Sequence, residues 1–269
     1  ATPATPAPAR PDSLEAPRPA LAHALGSAAY QIATTGTIAP LGDSTTAVDS
    51  VATSTLIRYT TRWDSVARMV RATGVVQMRV NPTRAPSARI PGATADAIPF
   101  VATIDTASKL VTLSTDSTRH TNCSAPGAAA LDQVREFLPS LQRPATSETE
   151  WQDTAVSTTC RGEIPVTATV VRTFTASRPG AAGPVTVSHT SQAVLLGTAV
   201  HLDHIVSLTG SGGGVTRAEY DSMSGRLIRE HTTVDLDINV ISHAGSSARL
   251  RQFHQHAEVT VVASSPGGP

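Results

Sequence analysis

Aromatic side chains are scarce: Phe, Tyr and Trp together make up 3% of 269 residues. That scarcity removes the stacking platforms on which single-stranded nucleic acid is held. It also forces any core to be built from Val, Leu, Ile and Ala. Lysine is nearly missing. Lys109 is the only one among 21 basic residues, and 21 acidic residues bring the formal net charge to zero. A chain without a basic surplus is a poor match for phosphate backbones, which argues against a nucleic-acid partner. No apolar run approaches the ~20 residues that a membrane helix needs. The run from Ala193 to Leu196 ends at Gly197, so no transmembrane segment of its own is expected. Cysteine occurs only at positions 123 and 160.

The first stretch, ATPATPAPARPDSLEAPRPA, is rich in Pro and Ala. Such a tract is extended, polyproline-like chain without a core, and 20 residues of it reach ~60 Å at ~3.1 Å each. Opening on Ala1 and such a linker is what signal cleavage leaves behind, so the chain is read as exported to the periplasm and membrane-peripheral. In that compartment Cys123 and Cys160 are expected to form a disulfide, the alternative being two buried free thiols. Closing a loop of this length stabilises by roughly 3–4 kcal/mol in the chain-entropy account.

From about Tyr30 the pattern is that of strands. Val76, Met78 and Val80 alternate with Gln77 and Arg79. Val234, Leu236, Ile238 and Val240 alternate with Thr233, Asp235, Asp237 and Asn239, and Val166, Ala168 and Val170 with threonines. Period-two alternation gives one dry and one wet face, as in an antiparallel sheet. One clear helix interrupts this, following Ser124-Ala-Pro-Gly and ending at Leu138-Pro139, with Leu131, Val134 and Leu138 on one stripe. Shorter helices are candidates at Pro19–Leu25 and Asp64–Met69. Residues 100–111 and 216–228 resemble one another, each a strand, an Asp/Ser turn and a strand. The expected organisation is a tail over 1–22 and an antiparallel β domain over 23–269. The domain reads as two sheet halves, 27–122 and 150–263, joined by a helix at 127–138.

The Thr/Val strands, the Asp/Ser/Gly hairpins, the helix ending Phe137-Leu138-Pro139 and the following Trp151-Gln-Asp-Thr154 resemble periplasmic half-β-barrel proteins of the LolA/LppX type. The resemblance spans residues 27–263. It implies a curved antiparallel sheet with a helix across its concave side. Proteins of that type bind lipids or lipidated proteins, or have no known role. It carries over no site residues, because that type shares a shape and not a catalytic signature. The Ala/Pro tail and the cysteine pair depart from it.

No motif declares a chemistry. His254 and His256 share one face of a strand, where the plain reading is two exposed polar residues; His201 and His204 fall on opposite faces. Asp235 and Asp237 lie on a wet face. Gly210-Ser-Gly-Gly-Gly214 lacks the Lys and Ser/Thr of a phosphate loop and reads as a hairpin tip. Catalytic, cofactor and metal sites are therefore all expected to be absent. Charge placement says more. Between positions 58 and 89 stand seven arginines, Arg58, Arg62, Arg68, Arg71, Arg79, Arg84 and Arg89, against one acid, Asp64. A locally basic segment on a neutral protein can dock on an acidic face. A lysine-poor protein that uses arginine on solvated strands shows the same pattern.

These features predict a non-catalytic extrinsic protein that docks on a membrane protein complex through its tail and arginine segment. A specific form is a subunit stabilising a bacterial photosynthetic reaction-centre and antenna assembly. The alternative is a carrier or sensor of a lipid or other apolar ligand.

Overall fold

The computed structural model describes residues 25–42, 48–81, 96–105, 110–116, 121–141, 149–177, 183–201, 204–245 and 247–264. The tail expected over 1–22, and Arg84, Arg89 and Lys109, lie outside them. Among the described residues, a single antiparallel sheet curls until it is nearly a barrel, as the half-barrel expectation requires. The strands in chain order are β1 (Gly26–Pro40), β2 (Asp49–Asp64), β3 (Met69–Asn81), β4 (Ile98–Ile104) and β5 (Val111–Leu113). After the helix α1 (Ala128–Phe137) come β6 (Glu150–Arg161), β7 (Ile164–Ser177), β8 (Val185–His201), β9 (His204–Tyr220), β10 (Leu227–Ala244) and β11 (Ser247–Ser264). Every pairing is between chain neighbours except β1 with β11, which joins the two runs into the order β5-β4-β3-β2-β1-β11-β10-β9-β8-β7-β6.

The period-two pattern explains which face curls inward. On β2, Thr53, Thr55, Ile57, Tyr59 and Thr61 are buried, while Ser54, Leu56, Arg58 and Thr60 between them are half-buried on the outer side. Two apolar clusters fill the inside. The larger gathers Tyr30, Ile57, Val76, Phe100 and Ile104 against Leu131, Val134 and Leu138 of the helical segment. The smaller, made by Val166, Ala168, Leu195, Leu208, Leu236 and Ile238, fills the interior near the opposite ends of β7–β10. The few aromatics are concentrated at the first: the Phe137 ring lies 5.0 Å from Tyr30 and 6.5 Å from Tyr59. Such tilted contacts add ~0.5–1.5 kcal/mol each to their area burial.

Helix α1 packs on β6 on one side and on β2–β5 on the other. It therefore spans the gap between the two sheet edges, β5 and β6. Pro139 ends it, and a short 3₁₀ turn, Leu138–Leu141, continues inward to accept a 3.0 Å hydrogen bond from the Tyr220 hydroxyl at the Ser140 carbonyl.

Two local expectations change, and a third lies almost wholly outside the described residues. Asp64–Met69 is not helical: the Asp64 carboxylate accepts 3.0 Å bonds from the amides of Val66 and Ala67 and closes the β2–β3 hairpin as a turn. Of the Pro19–Leu25 helix only Leu25 is described, and it is non-helical. Gly210–Gly214 is no hairpin tip but the middle of β9, paired on both sides. A Cβ at Gly212 would strike the Asp235 carbonyl and come within 2.8 Å of the Leu236 Cα, so the glycine lets β9 and β10 approach closely.

Candidate functional site: the outer face of β2–β3 and its hairpin tip

Register fixes where the arginines go. Arg58 and Arg62 on β2, and Arg71 and Arg79 on β3, all fall on the outward parity of their strands. Arg62 stands directly opposite Arg71, and Arg58 opposite Val75. Directly opposed side chains sit about 5 Å apart, and like charges there repel. Neither Arg62 nor Arg71 has an ion pair among the described residues. Arg79, eight residues along β3, lies ~26 Å from Arg71 at ~3.3 Å per residue, so it belongs to the other end of the face. Arg68 occupies the hairpin turn with φ 54°, the one non-glycine residue of positive φ among those described. The structure thus brings together Arg62, Arg68 and Arg71 at the tip, places Arg58 on the same face ~13 Å along β2 at ~3.3 Å per residue, and separates Arg79 from them.

The same tip carries a feature that composition alone concealed. Trp63, on the inward parity of β2, is 47% exposed at this end of the sheet, and Val66 in the turn is 95% exposed. In a chain with two tryptophans, one is spent on the surface next to an arginine cluster. Trp and Arg are the residue types most enriched at interface hot spots.

The remaining sequence candidates resolve simply. Cys123 and Cys160 form the expected disulfide, with Cα atoms 5.6 Å apart. On the outer face of β10–β11, His254 Nδ1 lies 2.8 Å from Asp237 and His256 Nδ1 2.8 Å from Asp235. The hydrogen bond to Asp235 holds the His256 pKa above its ordinary value. These pairs are exposed, and pairs of that kind contribute little to stability. Among the described residues no group of three or more His, Cys, Asp and Glu is placed to hold a metal ion. No described helix is long and apolar enough to cross a membrane. His201 and His204 are register partners at the ends of β8 and β9.

Two charged anchors of the helix were missed by sequence reasoning. Arg135 is 2% exposed and reaches Asp116 at 2.6 Å; the same carboxylate accepts bonds from the amides of Leu113 and Asn122. Asp132 accepts a 2.9 Å bond from the Cys160 amide. Burial, then the neighbouring Glu136, pushes the Asp132 pKa up to about 7, against the opposing effects of Arg161, the Cys160 amide and Arg135. Both anchors hold α1 in the gap between β5 and β6.

Comparison with protein-family models and with curated protein sequences finds no match.

Proposed function

We propose that this chain is an exported, non-catalytic extrinsic protein that docks with the tip of its β2–β3 hairpin on an acidic face of a membrane protein assembly. The carrying observation is the Arg62–Arg71 pair, directly opposed across two strands with no ion pair among the described residues, on a hairpin whose tip also exposes Trp63 and Val66. Guanidinium forks match carboxylates bidentately, so acidic protein side chains relieve the repulsion while the apolar tip is covered. The two filled interior clusters weigh against a long acyl chain as the main ligand. An assembly of reaction centre and antenna is the partner class to examine first, the Ala/Pro tail lying along a neighbour.

Native membranes from the source cells provide the test. The full chain is expected to co-sediment with them, to be released by high salt, and to bind poorly after surface proteins are shaved with protease. Arg62→Glu/Arg71→Glu is expected to abolish co-sedimentation, and Trp63→Ala to weaken it ~30-fold, the ~2 kcal/mol scale of a hot spot. Undiminished binding of the double variant, or equal binding to shaved membranes, contradicts the proposal.

A further inference from the structure

Of the two sheet edges, one is blunted and the other is not. β5 is three residues long, and its Leu113 amide donates to Asp116 at 3.0 Å. β6 is 12 residues long, contains no proline, and pairs with β7 in one unbroken register from Glu150–Thr175 to Arg161–Ile164. A long, regular edge presents a row of unpaired backbone groups that templates further pairing, and proteins ordinarily blunt such edges with charge, proline or a bulge. Between the terminal residues of β6 the one charge is Asp153, which points inward and is held by Arg172 at 2.8 Å.

Which backbone groups are free follows from Cys160. Its amide donates to the Asp132 carboxylate at 2.9 Å, away from β7. The N–H and C=O of one strand residue point the same way, and that direction alternates along the strand. Gln152, Thr154, Val156 and Thr158 therefore direct their backbone groups to the edge, where none of them has a partner among the described residues. The polar ties from α1 to β6 lie beyond this stretch, at Cys160 and at Arg161, which reaches Glu136 at 3.7 Å.

The same four residues turn their side chains to the outer face, and Val156 is 45% exposed. Level with them on β7, β8 and β9 stand only Thr, Val, Gln, Leu, Ser and Gly, with Val171, Val194 and Leu196 exposed among them. Charge returns on β10, at Asp235 and Asp237. The chain as a whole is 16% charged. A face four strands wide without a charge meets no electrostatic repulsion from an identical face, whereas like charges set against each other at an interface are strongly unfavourable.

We infer that β6 pairs antiparallel with β6 of a second copy of this chain about a two-fold axis, giving a homodimer whose sheet runs on from one copy into the other. With the axis at Ala155, Thr154 opposes Val156 of the second copy and Gln152 opposes Thr158, so the N–H and C=O groups of all four edge residues find partners. On the inner face Asp153 then stands opposite Ser157 of the second copy, and no like charges meet. This contact is independent of the hairpin tip.

Sedimentation velocity of the full chain between ~1 and ~100 µM tests it, with a dimer of 27.8 kDa chains expected at a Kd of ~10 µM, the scale of a small interface. Thr154→Lys/Val156→Lys is expected to weaken the dimer at least ~30-fold, because lysines then oppose lysines across the axis. Thr154→Glu/Val156→Glu is expected to do the same, and mixing the two variants to restore the dimer through Lys–Glu pairs. Both positions are exposed in the single chain, so both variants are expected to fold. Arg62→Glu/Arg71→Glu is expected to dimerise like wild type, which keeps this result separate from the docking proposal. A monomer at every concentration, which would leave the edge to a strand of another protein, overturns the inference. So does a dimer that survives in the lysine variant, a mixture that stays monomeric, or loss of the dimer in Arg62→Glu/Arg71→Glu.

Discussion

Loss of the Cys123–Cys160 bridge is expected to lower stability by about 4 kcal/mol. The cysteines are 37 positions apart, and the chain-entropy relation gives roughly that value for a loop of this size. Position decides where the loss is felt. Cys160 is the penultimate residue of β6, one edge of the sheet, and Cys123 precedes the helix that fills the gap to the other edge. The bridge therefore ties shut the place where an otherwise continuous barrel wall is interrupted. Cys123→Ser/Cys160→Ser is expected to shift the urea midpoint to match about 4 kcal/mol and to expose the β6 edge to hydrogen exchange before the β9–β10 centre. A double variant that melts within ~1 kcal/mol of wild type contradicts this staple role.

The second large effect is at Arg135. Its guanidinium is buried against Asp116 at 2.6 Å, and removing one member of a buried pair leaves the other as an unpaired charge. Arg135→Met is expected to cost ~3–5 kcal/mol. Arg135→Met/Asp116→Asn is expected to recover at least ~2 kcal/mol of that loss, since Asn removes the charge yet still accepts from the Leu113 amide. Chemical unfolding of the two variants reads the difference. If the double variant is as unstable as the single one, Asp116 matters as an anchor of the loop and not as a counter-ion.

Stability should also depend on pH in a stated direction. Burial raises the folded-state pKa values of Glu230 and Asp132 to about 7, above the ordinary carboxylate range. The folded chain therefore binds more protons than the unfolded chain between the two values. Stability falls as pH rises through that window and levels off above it. Thermal unfolding from pH 4.5 to 8 should show this loss, and Glu230→Gln should reduce it to the part that Asp132 contributes.

How much of this was legible follows from where the physics is local. Strand alternation is a property of neighbouring residues, so the wet and dry faces of β7, β10 and β11 could be read directly. The helix announced itself by Leu131, Val134 and Leu138. The disulfide was expected from the export reading and from the count of two cysteines. The glycine run deceived because Gly serves turns and close strand contacts equally, and only the partner strand distinguishes them. Asp116 with Arg135 depends on a contact between a turn and a helix 19 residues apart. A signal existed, since Arg135 follows Val134 on the apolar stripe, where a charge requires a partner. Glu230 falls on the dry parity of β10, continuing Val234 and Leu236 backwards, and that also was readable. The Arg62–Arg71 pairing was not, because register across β2–β3 is set by the Asp64 turn, which the sequence presents equally well as a helix start.

The docking face is tested most directly by arginine footprinting with an arginine-selective dicarbonyl reagent, on the free chain and on the chain bound to native membranes. The proposal predicts that Arg62, Arg68 and Arg71 react freely in isolation and become protected together on binding, while Arg217, Arg249 and Arg251 of β9 and β11 do not change. Protection confined to β9–β11, with Arg62 and Arg71 still reactive in the bound state, would contradict it.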